Sequence, residues 1–205
     1  MEAPKVLNHL YRMYLNIFKF MEYRKFVPKC EQISESDFIK ELRMSEYIIV
    51  KAETAEGRPV YIFLVDENSD YGSAANEFEM LEFVIKKKKN QEVDMIVIAK
   101  DKPSIHLKRK IAVFKKHKTY VSMYDYDKFK AVIPEAPIVP LHEIIPVDQV
   151  EAVLAEEHIT DINQLPKIKE SDPMAVWLGI VSGDLVRITG PSESAGEMIK
   201  YRVCI

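Results

Sequence analysis

Five apolar residues in succession, Met95-Ile96-Val97-Ile98-Ala99, predict a buried strand. Apolar residues at helical spacing precede this run over 75–90 and follow it over 104–116, where Ser104 is the expected N-cap. Short β-branched and aromatic runs lie beyond both helices, at 60–65 and 120–124. Strands that alternate with helices at these lengths predict an α/β domain in which crossover connections join the strands.

Two helices and one more strand are expected upstream. Apolar residues at helical spacing over 4–21 predict a long amphipathic helix. Ser34 begins a sequence typical of a capped helix start, so a second, short helix should follow it. The strand-like run at 47–52 is separated from 60–65 by a polar loop, which predicts a hairpin.

Four prolines between positions 134 and 146 mark a domain boundary, because they should interrupt any regular element there. The charge balance changes at the same place: residues 1–137 carry 24 basic and 21 acidic side chains, whereas residues 138–205 carry 5 and 11. We therefore expect an α/β N-terminal domain over 1–133, a proline-rich boundary over 134–146 and a small α+β C-terminal domain over 147–205.

Two short helices are expected in the C-terminal domain. Apolar spacing over 147–154 predicts the first. Asp172 as N-cap, Pro173 in the first turn and Gly179 as the stop signal predict the second.

A hairpin should end the chain. Residues 198–205 alternate as a strand does, and 184–189 can pair with them across a loop at 190–196. The alternation puts Tyr201 and Arg202 on opposite faces of the last strand, so one should face the core and the other a partner.

The composition is that of a folded protein without a catalytic or metal-binding motif. Apolar residues make up 47% of the chain, which excludes disorder as the dominant state. Two cysteines cannot form a disulfide framework, and the five histidines are scattered without ligand spacing. We expect no catalytic residue, cofactor, metal ion or small-molecule substrate. Because the chain has neither a run of about 18 apolar residues nor a signal-peptide pattern, we expect neither a membrane span nor secretion.

Positive charge is concentrated in residues 86–118, which carry 12 basic and 3 acidic side chains. Such a segment is either a solvated surface or a contact for nucleic-acid phosphates. The lack of interleaved aromatic residues favours a duplex backbone over a single strand, so a free-standing duplex DNA-binding protein is one hypothesis. A metal-dependent nuclease is another, suggested by Asp66 and Glu67 after a predicted strand, although no Glu-x-Lys motif accompanies them.

Several short motifs in the last third of the chain resemble, in order and spacing, the assembly domain of RNA polymerase subunit five. This is the common subunit of eukaryotic polymerases, and archaeal polymerases contain a counterpart of it. The motifs are Val139-Pro140-Leu141-His142, Gln164-Leu165-Pro166-Lys167-Ile168, Ser171-Asp172-Pro173-Met174-Ala175, Ile188-Thr189-Gly190-Pro191-Ser192-Glu193-Ser194-Ala195-Gly196 and Tyr201-Arg202. Residues 1–137 resemble the eukaryote-type N-terminal jaw domain of that family in the layout of their predicted elements.

The resemblance implies a non-catalytic subunit of a DNA-directed RNA polymerase. The assembly domain would dock on the largest subunit and meet other polymerase subunits, and the jaw would lie beside downstream duplex DNA, contacting only its backbone weakly. The implied docking residues are Pro140, His142, Pro166, Asp172, Pro173, Arg187, Pro191, Ser192, Glu193, Gly196 and Arg202. The implied DNA contacts are Lys100, Lys102, Pro103 and Ser104. The protein would be intracellular, in the nucleus if cellular, or in the host cytoplasm and the virion if viral.

Three positions depart from the family pattern. Gly190 and Val176 stand where the family usually has basic residues, and Glu197 stands where it usually has arginine. The docking domain has thus lost positive charge, and we expect a partner surface that is correspondingly less acidic or more basic. This drift resembles the polymerase subunits of large cytoplasmic DNA viruses of the African swine fever type.

Overall fold

The computed structural model describes residues 3–67, 92–100, 119–192 and 196–205. Contacts between residues divide the chain into an N-terminal unit, Met1–Ala131, and a C-terminal unit, Val132–Ile205. Each unit has its own sheet, so the expected mixture of helices and strands is confirmed. The helices predicted over 75–90 and 104–116 lie outside the described residues. Within the described ranges, no helix has the length and apolar character needed to cross a bilayer.

The N-terminal unit contains a five-stranded mixed sheet with strand order β1-β2-β3-β4-β5. The strands are β1 (Val27–Pro28), β2 (Tyr47–Glu53), β3 (Pro59–Val65), β4 (Val93–Ala99) and β5 (Thr119–Asp125). The predicted hairpin is the antiparallel pair of β2 and β3, and β3, β4 and β5 run parallel, as crossover connections require. Strand β1 lacks a sequence signal, because two residues are too few to show a period.

Helices α1 (Ala3–Tyr23) and α2 (Glu35–Ser45) confirm the two upstream predictions. Ser34 caps α2 by accepting a hydrogen bond from the Asp37 N–H. Helix α1 also fully buries Met13 and Phe20, which are outside the predicted apolar stripe. Apolar and aromatic residues that extend around so much of a helix are typical of a helix that its neighbours bury on most sides.

The segment between α1 and α2 is held by two tyrosines of α1. The Tyr14 hydroxyl accepts a hydrogen bond of 3.0 Å from the Ile33 N–H, and the Tyr11 hydroxyl donates one of 3.2 Å to the Ile33 carbonyl. Both rings also contact Phe38 of α2. The entry into α2 is therefore fixed by polar and aromatic contacts together.

Tyr14→Phe should destabilise the N-terminal unit by about 1–2 kcal/mol, because it leaves the Ile33 N–H without its acceptor in a partly buried site. Tyr11→Phe is the matched control and should cost less, since Tyr11 is more exposed and a carbonyl deprived of one donor can still bind water. Urea unfolding followed by circular dichroism measures both changes. Equal midpoints for Tyr14→Phe and the unaltered chain would contradict the expectation.

The C-terminal unit contains a four-stranded sheet with strand order β6-β8-β9-β7. The strands are β6 (Leu141–Ile144), β7 (Lys167–Ile168), β8 (Leu185–Ser192) and β9 (Gly196–Cys204). Strand β7 runs parallel to β9, and the other pairs are antiparallel.

Two predictions about this sheet are wrong. The prolines do not interrupt all regular structure, because β6 fits between Pro140 and Pro146 as an edge strand, where proline is tolerated. The terminal hairpin loop is also shorter than 190–196, because pairing continues to Ser192 and Gly196.

Helices cover opposite faces of this sheet. Helix α3 (Val150–Glu156) packs on the face that presents Leu185 and Val203, whereas α4 (Pro173–Leu178) packs on the face of Val186 and Cys204. Both helices confirm predictions, and α4 has its expected caps: the Asp172 carboxylate accepts from the Met174 N–H, and Gly179 adopts φ 77°. Beyond the helices, the distal half of the β8–β9 hairpin stays exposed.

Candidate functional site

A groove of about 400 Å³ lies on the C-terminal unit, on the face of the sheet that carries α4. Its floor continues the buried row of Val186 and Cys204 outward along β8 and β9, because alternate residues of a strand share one face. The lining residues are Ile138, Pro140, His142, Ile168, Asp172, Ile188, Gly190, Pro191, Met198, Lys200 and Arg202.

Five of the predicted docking residues come together in this groove although they are distant in sequence. They are Pro140, His142, Asp172, Pro191 and Arg202. The His142 ring is oriented by its own strand start, since Nδ1 lies 2.8 Å from the Pro140 carbonyl oxygen. Arg202 lines the groove while Tyr201 packs against the core beneath α3, so Tyr201 is the member of the pair that faces the core.

Arg187 lies on the opposite face of the sheet. Its Nε and Nη2 atoms donate to a single oxygen, Oε2 of Glu143, at 3.1 and 2.9 Å, across the β6–β8 pair. The hydrogen bond with Glu143, and then its charge, raise the pKa of the Arg187 guanidinium. Arg187 therefore links the edge strand to the sheet and does not line the groove.

The other predicted docking residues have local positions. Pro166 and Pro173 are exposed outside the groove, the latter in the first turn of α4, and Ser192 pairs with Gly196 at the tip of the hairpin. Gly196 has φ 74°, a conformation that favours glycine. Glu193 lies outside the described residues.

Six residues that line the groove are not among the predicted docking residues: Ile138, Ile168, Ile188, Gly190, Met198 and Lys200. The alternation of the last strand places Met198 and Lys200 on the face of Arg202, so the pattern could have included them. Ile188 requires the strand register, and Ile138 requires the path of the chain before β6. Neither can be obtained from local spacing.

Lys100 is the one predicted DNA contact within the described residues. It is exposed and directly follows β4 at the carboxyl edge of the parallel strands, the edge that also carries Asp66 after β3. Lys102, Pro103 and Ser104 lie outside the described residues, as do the lysines over 86–89 and 108–118. In the part of the chain that the structure describes, no three His, Cys, Asp or Glu side chains are grouped as metal ligands would be.

Comparison with known proteins places these features in a family. Residues 132–204 match the family model described as RNA polymerase Rpb5, C-terminal domain. The DNA-directed RNA polymerase RPB5 homolog of African swine fever virus (isolate Pig/Kenya/KEN-50/1950) is 28% identical over 93% of this chain and 95% of its own length. The DNA-directed RNA polymerase subunit Rpo5 of Methanocaldococcus jannaschii is 46% identical over 33% of this chain and 86% of its own length. The Rpo5 subunit of Methanosarcina acetivorans is also 46% identical, over 33% of this chain and 85% of its own.

Proposed function

The chain belongs to the RNA polymerase Rpb5 family of non-catalytic polymerase subunits, and we propose that it joins its polymerase by docking its C-terminal unit on the largest subunit. In this proposal the C-terminal unit, Val132–Ile205, is the assembly domain, and the N-terminal unit, Met1–Ala131, is a jaw beside downstream duplex DNA. The protein acts in transcription and contributes no active site.

The observation that carries the docking proposal is the coverage of the archaeal relatives. A third of this chain spans 86% of an archaeal protein named as a polymerase subunit. The family model that matches residues 132–204 is the Rpb5 C-terminal domain, and the two findings together support placing the assembly function in the C-terminal unit. The gathering of five predicted docking residues in one groove gives the proposal a definite surface.

Support for the DNA proposal comes from charge. Residues 86–118 carry 12 basic and 3 acidic side chains, and the exposed Lys100 comes shortly before Lys102, Pro103 and Ser104 in the sequence. Contacts of this type neutralise backbone phosphates and carry no sequence information, so they suit DNA that moves past the enzyme.

The viral relatives support a viral setting. Their similarity extends over 93% of this chain, including the N-terminal unit. We therefore propose that the protein is intracellular, in the cytoplasm of an infected host cell and in the virion.

Co-expression with a tagged largest subunit tests the docking proposal. Both the full chain and the fragment 132–205 should be recovered with the largest subunit, whereas the fragment 1–131 should not. Failure of both the full chain and the C-terminal fragment would end the polymerase assignment. Recovery of 1–131 alone would show that the roles of the two units are reversed.

Lys100→Glu combined with Lys102→Glu should weaken the grip of the assembled polymerase on downstream duplex without loss of assembly. The reason is that each lost phosphate contact reduces the slope of log affinity against log salt by about 0.9. Lys40→Glu with Arg43→Glu, two exposed positions of α2, is the control with the same change in charge. Nuclease protection of downstream DNA at several salt concentrations measures the effect. Loss of assembly in the first variant, or equal protection in both, would contradict the DNA proposal.

A further inference from the structure

We propose that the groove of the C-terminal unit binds an extended segment of the largest subunit in which acidic and apolar side chains are combined. This inference rests on the proposed docking function and deepens it, since it assigns both the surface and the chemistry of its partner. The net charge of the unit led us to expect a less acidic or more basic partner surface. The groove differs from the unit around it, because the groove is cationic whereas the unit as a whole is acidic.

The cationic character comes from Lys200 and Arg202. Both lie on the groove face of β9, and neither forms an ion pair with a residue that the structure describes. Residues 138–205 hold only 5 basic side chains against 11 acidic ones, and Arg187 is already paired with Glu143. Among the described residues that line the groove, Asp172, which caps α4, is the one acidic side chain. Lys200 and Arg202 therefore leave a local excess of positive charge that an acidic partner would complement.

Apolar side chains stand next to these cations. Ile138 is 91% exposed and Met198 38% exposed, and both line the groove with Ile188 and Pro140. Large apolar side chains gathered in a concave surface mark an interaction site when charged residues border them. The combination favours a partner with apolar side chains over a purely electrostatic one, because the latter would leave Ile138 in water.

Gly190 keeps the groove open. A Cβ atom at this position would lie 3.1 Å from the Cβ of Pro140, and residue 190 is held in the β8–β9 pairing opposite Met198. A long side chain here would therefore extend across the groove floor. The glycine at 190, where the family pattern usually has a basic residue, leaves room for the partner's main chain.

The spacing of the two cations favours an extended partner. Lys200 and Arg202 are two residues apart on a strand, which separates them by about 6.6–6.8 Å along β9. Alternate side chains of an extended segment have the same spacing, so acidic residues at positions i and i+2 can each meet one cation. A helical partner would place residues i and i+2 on different sides.

Charge reversal tests the electrostatic half of the inference. The full chain with Lys200→Glu and Arg202→Glu should show at least a tenfold loss in affinity for the tagged largest subunit at physiological salt, with an unchanged melting temperature. Lys167→Glu with Lys169→Glu is the matched control, because both lysines are exposed on the same unit with the same spacing and lie outside the groove. Recovery of both variants at the same level would overturn the inference while leaving the docking function intact. Failure of the unaltered chain to bind would instead refute the proposed function.

Gly190→Lys tests the steric half. It adds a positive charge, so charge attraction alone predicts stronger binding, whereas a filled groove predicts at least a tenfold loss. Binding at or above the level of the unaltered chain would overturn the inference.

Cysteine protection supplies a readout that does not depend on a destabilising change. In a Cys30→Ser background, Ile138→Cys should react quickly with a maleimide in the free chain and become protected in the complex with the largest subunit. Val181→Cys, which is outside the groove at a position that is 56% exposed, should remain reactive in both states. An unprotected residue 138 in the complex, or equal protection at both positions, would overturn the inference.

Discussion

Trp177→Ala should destabilise the C-terminal unit by about 3–5 kcal/mol and abolish recovery of the chain with the largest subunit. The Trp177 side chain is fully buried in α4, a helix of six residues that is too short to be stable without packing. This helix covers the sheet face whose exposed continuation forms the groove. Removing this buried ring should therefore weaken the packing of α4, so the unit and its proposed docking surface should lose stability together.

Tryptophan fluorescence can follow the unfolding of the C-terminal unit alone, because Trp177 is the chain's only tryptophan. Its fluorescence during urea unfolding reports selectively on the C-terminal unit of the unaltered chain, and circular dichroism then follows the alanine variant. A decrease of about 3–5 kcal/mol should remove most of the free energy of unfolding of so small a unit. Trp177→Phe is the control and should retain much of the stability and the binding, since an aromatic side chain still fills most of the volume. Unaltered unfolding of the alanine variant would show that α4 does not hold the unit together.

The sequence signals that proved accurate are local ones. Ser34, Asp172 and Gly179 act as caps where their residue types predict, because capping depends on a few neighbouring backbone groups. The strands β4 and β9 are likewise predictable from residues in direct succession. Strand β6 escapes prediction because its partner β8 lies more than forty residues away, and the flanking prolines suppress the local signal.

The candidate site depends on the same long-range information. Arg187 and Arg202 look equivalent in the sequence, yet one faces Glu143 across the sheet and the other lines the groove. Which face each occupies follows from the register of β8 against β9 and β6. The resemblance could supply a set of docking residues, but only the register divides that set into groove-lining and structural members.

The sequence also fails to predict the position of Asp94 in the N-terminal unit. The predicted strand begins at Met95, so Asp94 was not expected to be part of it. The structure extends β4 to Val93 and leaves the Asp94 side chain only 19% exposed. Its Oδ2 atom lies 3.3 Å from Nε of Arg58, and the Arg58 guanidinium lies 5.5 Å from the ring centre of Tyr120. Burial raises the pKa of Asp94, and the positive charges of Arg58 and then Arg24 oppose that rise only in part.

Arg58→Met should therefore destabilise the N-terminal unit by about 2–3 kcal/mol at neutral pH, because it leaves a largely buried carboxylate without its partner. Asp94→Asn should change stability little, since the raised pKa indicates that the ionised carboxyl gains nothing net from its site. The double variant should recover most of the loss caused by Arg58→Met. Urea unfolding of the three variants completes a thermodynamic cycle, and a double variant as unstable as Arg58→Met would show that Arg58 acts through its stacking on Tyr120 instead.

The pH dependence of the free energy of unfolding also distinguishes the unpaired Asp94 carboxylate from the lost stacking on Tyr120. A carboxyl whose pKa is raised on folding contributes stability that is fully present below its unfolded pKa of about 3.9 and is lost as the pH rises through the folded value. Arg58→Met removes the main opposing charge, so the pKa of Asp94 should rise further, and the variant should regain stability on mild acidification more steeply than the unaltered chain. Asp94→Asn should flatten this contribution. Arg58→Met retains the Asp94 carboxyl, whereas the double variant lacks it. If the free energy of unfolding of both variants changed equally with pH, Asp94 would not be the group responsible.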